Sequence, residues 1–195
     1  MARLELGGQK LRVVDDLEQA NALRVNMQNS IDAVSGGLIT VDFPHHEIHE
    51  GDHYMSGGTV TLGLGGVLDV LVTTPDTTKW AHLEGLVNSS GAANVLFYEG
   101  ATVSDNGSTA LAVNRNRNSE NTAAVIISTG PTVSSPGSVL YPSLMGVGQN
   151  SGGLIRSEDE FILRQNTLYV IRITSEAASN RINWRLDWYE HTNDG

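Results

Sequence analysis

The sequence predicts an all-β protein, an antiparallel β-sandwich of jelly-roll-like type, with an N-terminal arm containing one short helix. Three observations point there. Ile182, Trp184, Leu186 and Trp188 alternate with Arg181, Asn183, Arg185, Asp187 and Tyr189, a period of two that buries one face of a strand. Short apolar runs bounded by Gly, Pro, Asn, Asp or Ser recur after Phe43, with no helices between them. The 21 glycines and 17% charged residues suit a turn-dense chain, and no segment repeats at a fixed period, which argues against propellers and solenoids.

These patterns divide the chain into an arm, residues 1–42, and a sandwich domain, residues 43–195. In the arm, Asp15 or Asp16 can cap a helix running to Val34. Its apolar residues Leu17, Ala20, Leu23, Met27, Ile31 and Val34 recur three or four positions apart, and Gly36-Gly37 ends it. A lone helix of about twenty residues is marginal in water, so the stripe must dock on its own body or on another subunit. Ahead of it, Met1 to Val14 offers strand-forming residues with nothing local to pair with, which suits addition to a neighbour's sheet edge. Leu17, Leu23, Met27, Ile31 and Val34 are the expected subunit or shell contacts.

In the body, strands are expected at Val67 to Val72, Lys79 to Val87, Asn94 to Tyr98, Ala110 to Val113, Ala124 to Ser128, Glu160 to Leu163 and Thr167 to Thr174. With the C-terminal strand this makes eight to ten. Ser175 to Asn180 supplies a turn that would join the last two as a hairpin, and Asn106-Gly107 is a pair favoured in tight hairpin turns. The alternation places Trp184 and Trp188 in the core, away from any sugar-stacking role alongside Trp80.

The densest chemistry lies in Phe43 to Tyr54, FPHHEIHEGDHY, which holds four of the six histidines. As a strand, it would put His45, Glu47 and His49 on one side, where two imidazoles and a carboxylate could meet a metal ion. The spacing matches no metal motif: the protease helix pattern is one residue short, and no two histidines are separated by one residue as a cupin pair would be. A polar edge strand is the expectation, with no metal and no cofactor. No Gly-x-Ser-x-Gly elbow or phosphate loop is present, and Gly63 to Gly66 lacks the third glycine of a dinucleotide loop. Glu158 and Glu160, flanking Asp159, read as an exposed turn rather than a catalytic carboxylate pair.

The net charge of −10 disfavours a phosphate backbone as partner. Arg115 and Arg117, in Asn114 to Asn121, read as part of a solvated polar loop. No apolar run approaches the roughly 20 residues of a membrane helix, and residues 1–20 lack a signal-peptide core, so synthesis in the cytoplasm is expected. With no cysteine, disulfides and thiolate metal sites are excluded.

The runs HHEIHEGDHYMSGG (His45 to Gly58), LDVLVTTPDTTKWAHL (Leu68 to Leu83), LFYEGATV (Leu96 to Val103), NRNRNSENTA (Asn114 to Ala123), IRSEDEFILRQNTLYVIRITS (Ile155 to Ser175) and WYEHTN (Trp188 to Asn193) resemble a group of tailed-bacteriophage virion proteins. Within that group the chain is most similar to capsid decoration, or cement, proteins. The resemblance covers nearly all of the body and weakens over the arm. It implies a non-enzymatic protein on the capsid exterior, assembled as a homotrimer on the major capsid protein, without nucleic-acid or membrane partners. A head or tail fibre subunit is the alternative within that class, and a carbohydrate-active or metal-dependent sandwich enzyme the alternative outside it.

Overall fold

The structure, a computed structural model, describes residues 4–6, 9–11, 43–146 and 160–192. The chain divides into two units, Met1–Asp42 and Phe43–Gly195. In the first, β1 (Leu4–Leu6) and β2 (Gln9–Leu11) pair antiparallel, Leu4 opposite Leu11. The expectation that Met1 to Val14 has no local strand partner is therefore corrected. Two residues separate the strands in sequence, Gly7 and Gly8, a pair suited to a tight reversal. The helix expected from Asp16 to Val34, with Leu17, Leu23, Met27, Ile31 and Val34, lies outside the described residues.

The second unit opens with the helix α1 (Phe43–Glu50). Strands β3 (His53–Leu62), β4 (Val67–Thr73), β5 (Lys79–Ser89) and β6 (Ala93–Glu99) follow. Next come the short β7 (Thr102–Asp105), β8 (Ser108–Thr109), β9 (Val113–Asn114), β10 (Ile126–Thr129) and β11 (Thr132–Ser135). The unit is completed by β12 (Ser138–Met145), β13 (Phe161–Leu163), β14 (Leu168–Ser175) and β15 (Asn180–Thr192).

Two antiparallel sheets form the sandwich, one of six strands in the order β12-β6-β14-β4-β10-β8, the other of five in the order β13-β5-β15-β3-β9. A two-stranded ribbon, β11-β7, is hydrogen-bonded into neither. Among the described residues of this unit no two consecutive strands pair with each other; the main strands alternate between the sheets. The inner faces meet in one core. Val70, Val72, Val95, Phe97, Ile127, Tyr169, Ile171 and Ile173 come from the six-stranded sheet, and Tyr54, Leu83, Val87, Ile182, Trp184, Leu186 and Trp188 from the five-stranded one. Trp184 and Trp188 are core residues, as their alternation requires. A second cluster joins Leu71, Tyr98, Ala101 and Val170 to Val103 of β7 and Val133 of β11. Central strands β4 and β14 are thus covered on both faces, which is why their sequences read as continuous apolar runs.

Several expected elements are differently arranged. β14 pairs with β4 and β6, whereas β15 pairs with β3 and β5, so Ser175 to Asn180 links the two sheets and does not close a hairpin. Asn106-Gly107 does turn the chain, with Gly107 at φ +76° and its N–H donated to the Asp105 carboxylate at 2.6 Å. The strands it joins, β7 and β8, nevertheless pair with β11 and β10. Residues 110–112 lie outside the strands, and β9 begins at Val113. The unit holds thirteen described strands rather than eight to ten. Of those not anticipated, β3 has its inward period of Tyr54, Val60 and Leu62 interrupted by Ser56 and Gly58, and β12 is mostly exposed and contains Pro142, which a sheet edge tolerates.

Candidate functional site

Phe43 to Glu50 is a helix, which corrects the strand reading of the histidine cluster. Pro44 sits in its first turn, where a missing N–H costs nothing. At its end Gly51 takes φ +81°, and two bonds close a Schellman motif: Asp52 N–H to the Glu47 carbonyl at 3.0 Å and Gly51 N–H to that of Ile48 at 3.2 Å. The inward stripe is Pro44, Glu47, Ile48 and Gly51, a helical period whose most buried side chain is a glutamate. That acid disguised the period in the sequence.

Helical geometry regroups the candidate ligands. His45 and His49 share one exposed face, with their Nε2 atoms 3.0 Å apart. Glu47 points the other way and is buried, so the structure does not bring it to the His45–His49 pair. The loop from Asn114 to Asn121 holds the helix end. Asn114 donates to the Gly51 carbonyl at 2.7 Å and Asn116 to that of His49 at 3.1 Å, covering acceptors that a helix terminus leaves open. Arg115 and Arg117 are exposed, as a polar loop requires, but their asparagine neighbours have a packing role.

α1 packs against β3 and β15, on the outer face of the five-stranded sheet. Cross-strand register lays the side chains of that face in rows: His53, Tyr189 and His82 in one, Met55, Asp187 and Glu84 in the next. His53 donates Nδ1–H to the Pro44 carbonyl at 3.2 Å, while Arg115 Nη1 lies 3.4 Å from its Nε2. Burial lowers the His53 pKa, the nearby guanidinium of Arg115 lowers it further, and the Pro44 carbonyl with Asp187 and Glu47 opposes them. Asp187 accepts from Arg185 Nε at 2.5 Å. Burial raises the Glu84 pKa, reinforced by the carboxylates of Glu160 and Asp187.

The first of these rows continues into a chain of groups that the sequence did not disclose. His82 Nδ1 is 2.5 Å from the Glu160 carboxylate, which also accepts from the Tyr189 hydroxyl at 2.9 Å. The His82 and Tyr189 rings stack at 4.5 Å, and His82 Nε2 lies 2.8 Å from His191 Nε2. Burial and the Glu160 hydrogen bond raise the Tyr189 pKa, keeping the phenol protonated as a donor. Glu160 is therefore half-buried and hydrogen-bonded, not part of a freely exposed turn; Glu158 and Asp159 lie outside the described residues. The period-two pattern did place Tyr189 on the polar face of β15. What it could not show was that β5 and the residue before β13 bring His82 and Glu160 to it.

At the opposite end of the same face is a shallow groove of about 640 Å³, whose lining includes Thr59, Thr61, Asn88, Ser90, Arg181 and Asn183. Its walls offer hydroxyl, amide and guanidinium groups and no carboxylate, so it can hydrogen-bond a polar ligand but holds no acid–base pair. Among the described residues no group of three or more His, Cys, Asp or Glu side chains is arranged to hold a metal ion. No helix of the described residues is long and apolar enough to cross a membrane. Comparison with protein-family models, with curated proteins and with solved structures finds no match to this chain.

Proposed function

We propose that this protein is a structural component of a tailed-bacteriophage virion, a capsid decoration or cement protein that binds the outer head surface and stabilises the shell. The observation that carries this reading is the apolar surface of β12, which exposes Val139, Leu140 and Leu144. An exposed apolar patch of that kind suits contact with a neighbouring subunit. The irregular register between Val139 and Tyr141, with Pro142, limits open-ended strand addition, so contact runs through side chains.

The strand order supports the finer fold assignment. The series β12-β6-β14-β4 and β13-β5-β15-β3 interleave as the two four-stranded sheets of a jelly roll do, an architecture used in viral shells and lectins. The resemblance of the body's segments to phage virion proteins supports the location. Subunits assemble as homotrimers on the major capsid protein at the virion exterior after synthesis in the host cytoplasm, with no enzymatic role and no nucleic-acid or membrane partner. Many modest contacts repeated over the shell give avidity. Leu17, Leu23, Met27, Ile31 and Val34 of the arm provide the anchor, each removing roughly 1.5 to 3 kcal/mol of apolar surface from water before ordering costs.

The test is to mix undecorated heads with the full chain, with a chain lacking residues 1–36, and with the Leu23→Asp/Met27→Asp variant, then sediment the particles. The full chain saturates the heads and the other two bind far more weakly. Equal occupancy removes the arm's role, and absence of binding by all three removes the decoration reading. The polar groove favours a second reading, a head or tail fibre subunit that binds a hydroxyl-rich receptor there. Copy number separates the two, hundreds per particle for a cement protein against a handful for a tail fibre.

A further inference from the structure

His82 and His191 meet in an arrangement that calls for a third party. Oxygen acceptors at both Nδ1 atoms favour hydrogen there: His82 Nδ1 faces the Glu160 carboxylate at 2.5 Å, with the Tyr189 hydroxyl at 3.0 Å, and His191 Nδ1 faces the Thr192 carbonyl at 3.0 Å. In two neutral rings both Nε2 atoms then present lone pairs, and these lie 2.8 Å apart. Lone pairs at that separation repel unless a proton or a metal cation lies between them. The ring centroids are 4.6 Å apart, closer than a head-on approach through Nε2 would give, so the rings meet at an angle as two ligands of one ion do.

The geometry points to a metal site: His82 and His191 form a bidentate pair for a divalent transition-metal ion, of the copper(II) or nickel(II) kind. Metal–imidazole bonds are about 2.0–2.1 Å, so two nitrogens at a right angle on one ion lie about 2.9 Å apart and two at a tetrahedral angle about 3.4 Å. The observed 2.8 Å fits the right angle of square-planar or octahedral coordination, and imidazole suits copper and nickel in that geometry. The surroundings are those of a ligand pair. Each histidine has its other ring nitrogen held by an oxygen acceptor, which fixes the tautomer and the ring, and Tyr189 in turn holds Glu160. Water would fill the remaining positions. The helical pair His45 and His49 has a similar Nε2 separation, 3.0 Å, but is exposed, and among the described residues no acceptor holds either Nδ1. It is the competitor that a test must remove.

The experiment uses the untagged full chain carrying His45→Ala and His49→Ala, stripped with chelator and titrated with copper(II), nickel(II) and zinc(II) by calorimetry. One copper per chain is expected, with zinc weaker. Adding His191→Gln lowers copper affinity at least tenfold, and Glu160→Gln lowers it about tenfold, the usual effect of removing an outer partner. Trp80, opposite His191 in register and 38% exposed, reports the same event through quenching of its emission. Electron paramagnetic resonance of the copper form should show two imidazole nitrogens, a readout that stands even if the His191 variant does not fold. Absence of uptake for all three ions overturns the proposal and assigns the space between the rings to a shared proton. Unchanged affinity in a folded His191→Gln protein, or a spectrum with fewer than two nitrogens, overturns it equally.

Discussion

Trp188 donates its indole N–H to the carboxylate of Glu190, two residues along the same buried face of β15, at 2.9 Å. The same carboxylate accepts the backbone N–H groups of Ala124 and Val125, at 3.0 Å each for the shorter contacts, so one acid ties the five-stranded sheet to the segment that enters β10 of the other sheet. Replacing Glu190 with Ala leaves buried donors without acceptors and should cost on the order of 3 kcal/mol in urea unfolding. Glu190→Gln keeps one oxygen and should cost clearly less. Equal losses would show that side-chain volume, not hydrogen bonding, is what matters there.

His53 should make stability fall on acidification. Burial and Arg115 disfavour its imidazolium in the folded state, so the unfolded chain, with a value near 6.5, binds the proton more readily. Its contribution is complete above about pH 6.5 and is lost as pH drops through the folded value. Measured at pH 7.5 and pH 5.0, the stability difference between wild type and His53→Gln should shift toward the variant at the lower pH. A constant difference contradicts the assignment.

Glu84 has the opposite sign. Its raised value means that the folded state holds the proton more tightly, so the stability it contributes is full below about pH 4.5 and declines as pH rises through the folded value. Glu84→Gln should therefore stabilise the protein at pH 7 by up to about 1 kcal/mol, the scale of a half-exposed charge interaction. The gain should vanish near pH 4.

Gly57 lies where β3 runs close to β15. A Cβ there would stand 2.8 Å from the Trp184 carbonyl oxygen, a backbone atom that cannot swing aside. Gly57→Ala should cost about 1 to 3 kcal/mol, as overpacking does, and should disturb tryptophan emission through Trp184. An unchanged unfolding midpoint would mean that the two strands separate there without penalty.

The residues that announced their structure are those whose neighbours along the chain repeat their environment. Ile182, Trp184, Leu186 and Trp188 show the inner face of β15 because every second residue is buried, and Val70 to Val72 show a strand buried on both sides. Pairing is another matter. Nothing local distinguishes a Ser175 to Asn180 segment that closes a hairpin from one that crosses between sheets, since both need only turn residues. α1 was hidden for a chemical reason, because Glu47 holds the position that an apolar residue usually marks. The Pro44 and Gly51 punctuation was the signal available. His82, Glu160 and His191 are separated by 78 and 31 positions in sequence, and only the register of β5 and β15 and the approach to β13 assemble them.

The alternation of strands between the sheets also governs how this chain comes to be folded. β15 lies between β5 and β3 near the middle of its sheet, and Trp188 and Leu186 belong to the shared core. A nascent chain released only as far as β14 has both flanks of that vacancy in place and nothing to fill it. The sandwich has no local hairpin in its described portion from which to nucleate, so its closure waits on contacts far apart in sequence, which places folding in the slow range of milliseconds to seconds typical of such β topologies. Assembly of the body is consequently a cooperative event that waits on β15, and a ribosome stalled before residue 180 would hold an unfinished sheet with its apolar interior exposed to the cell.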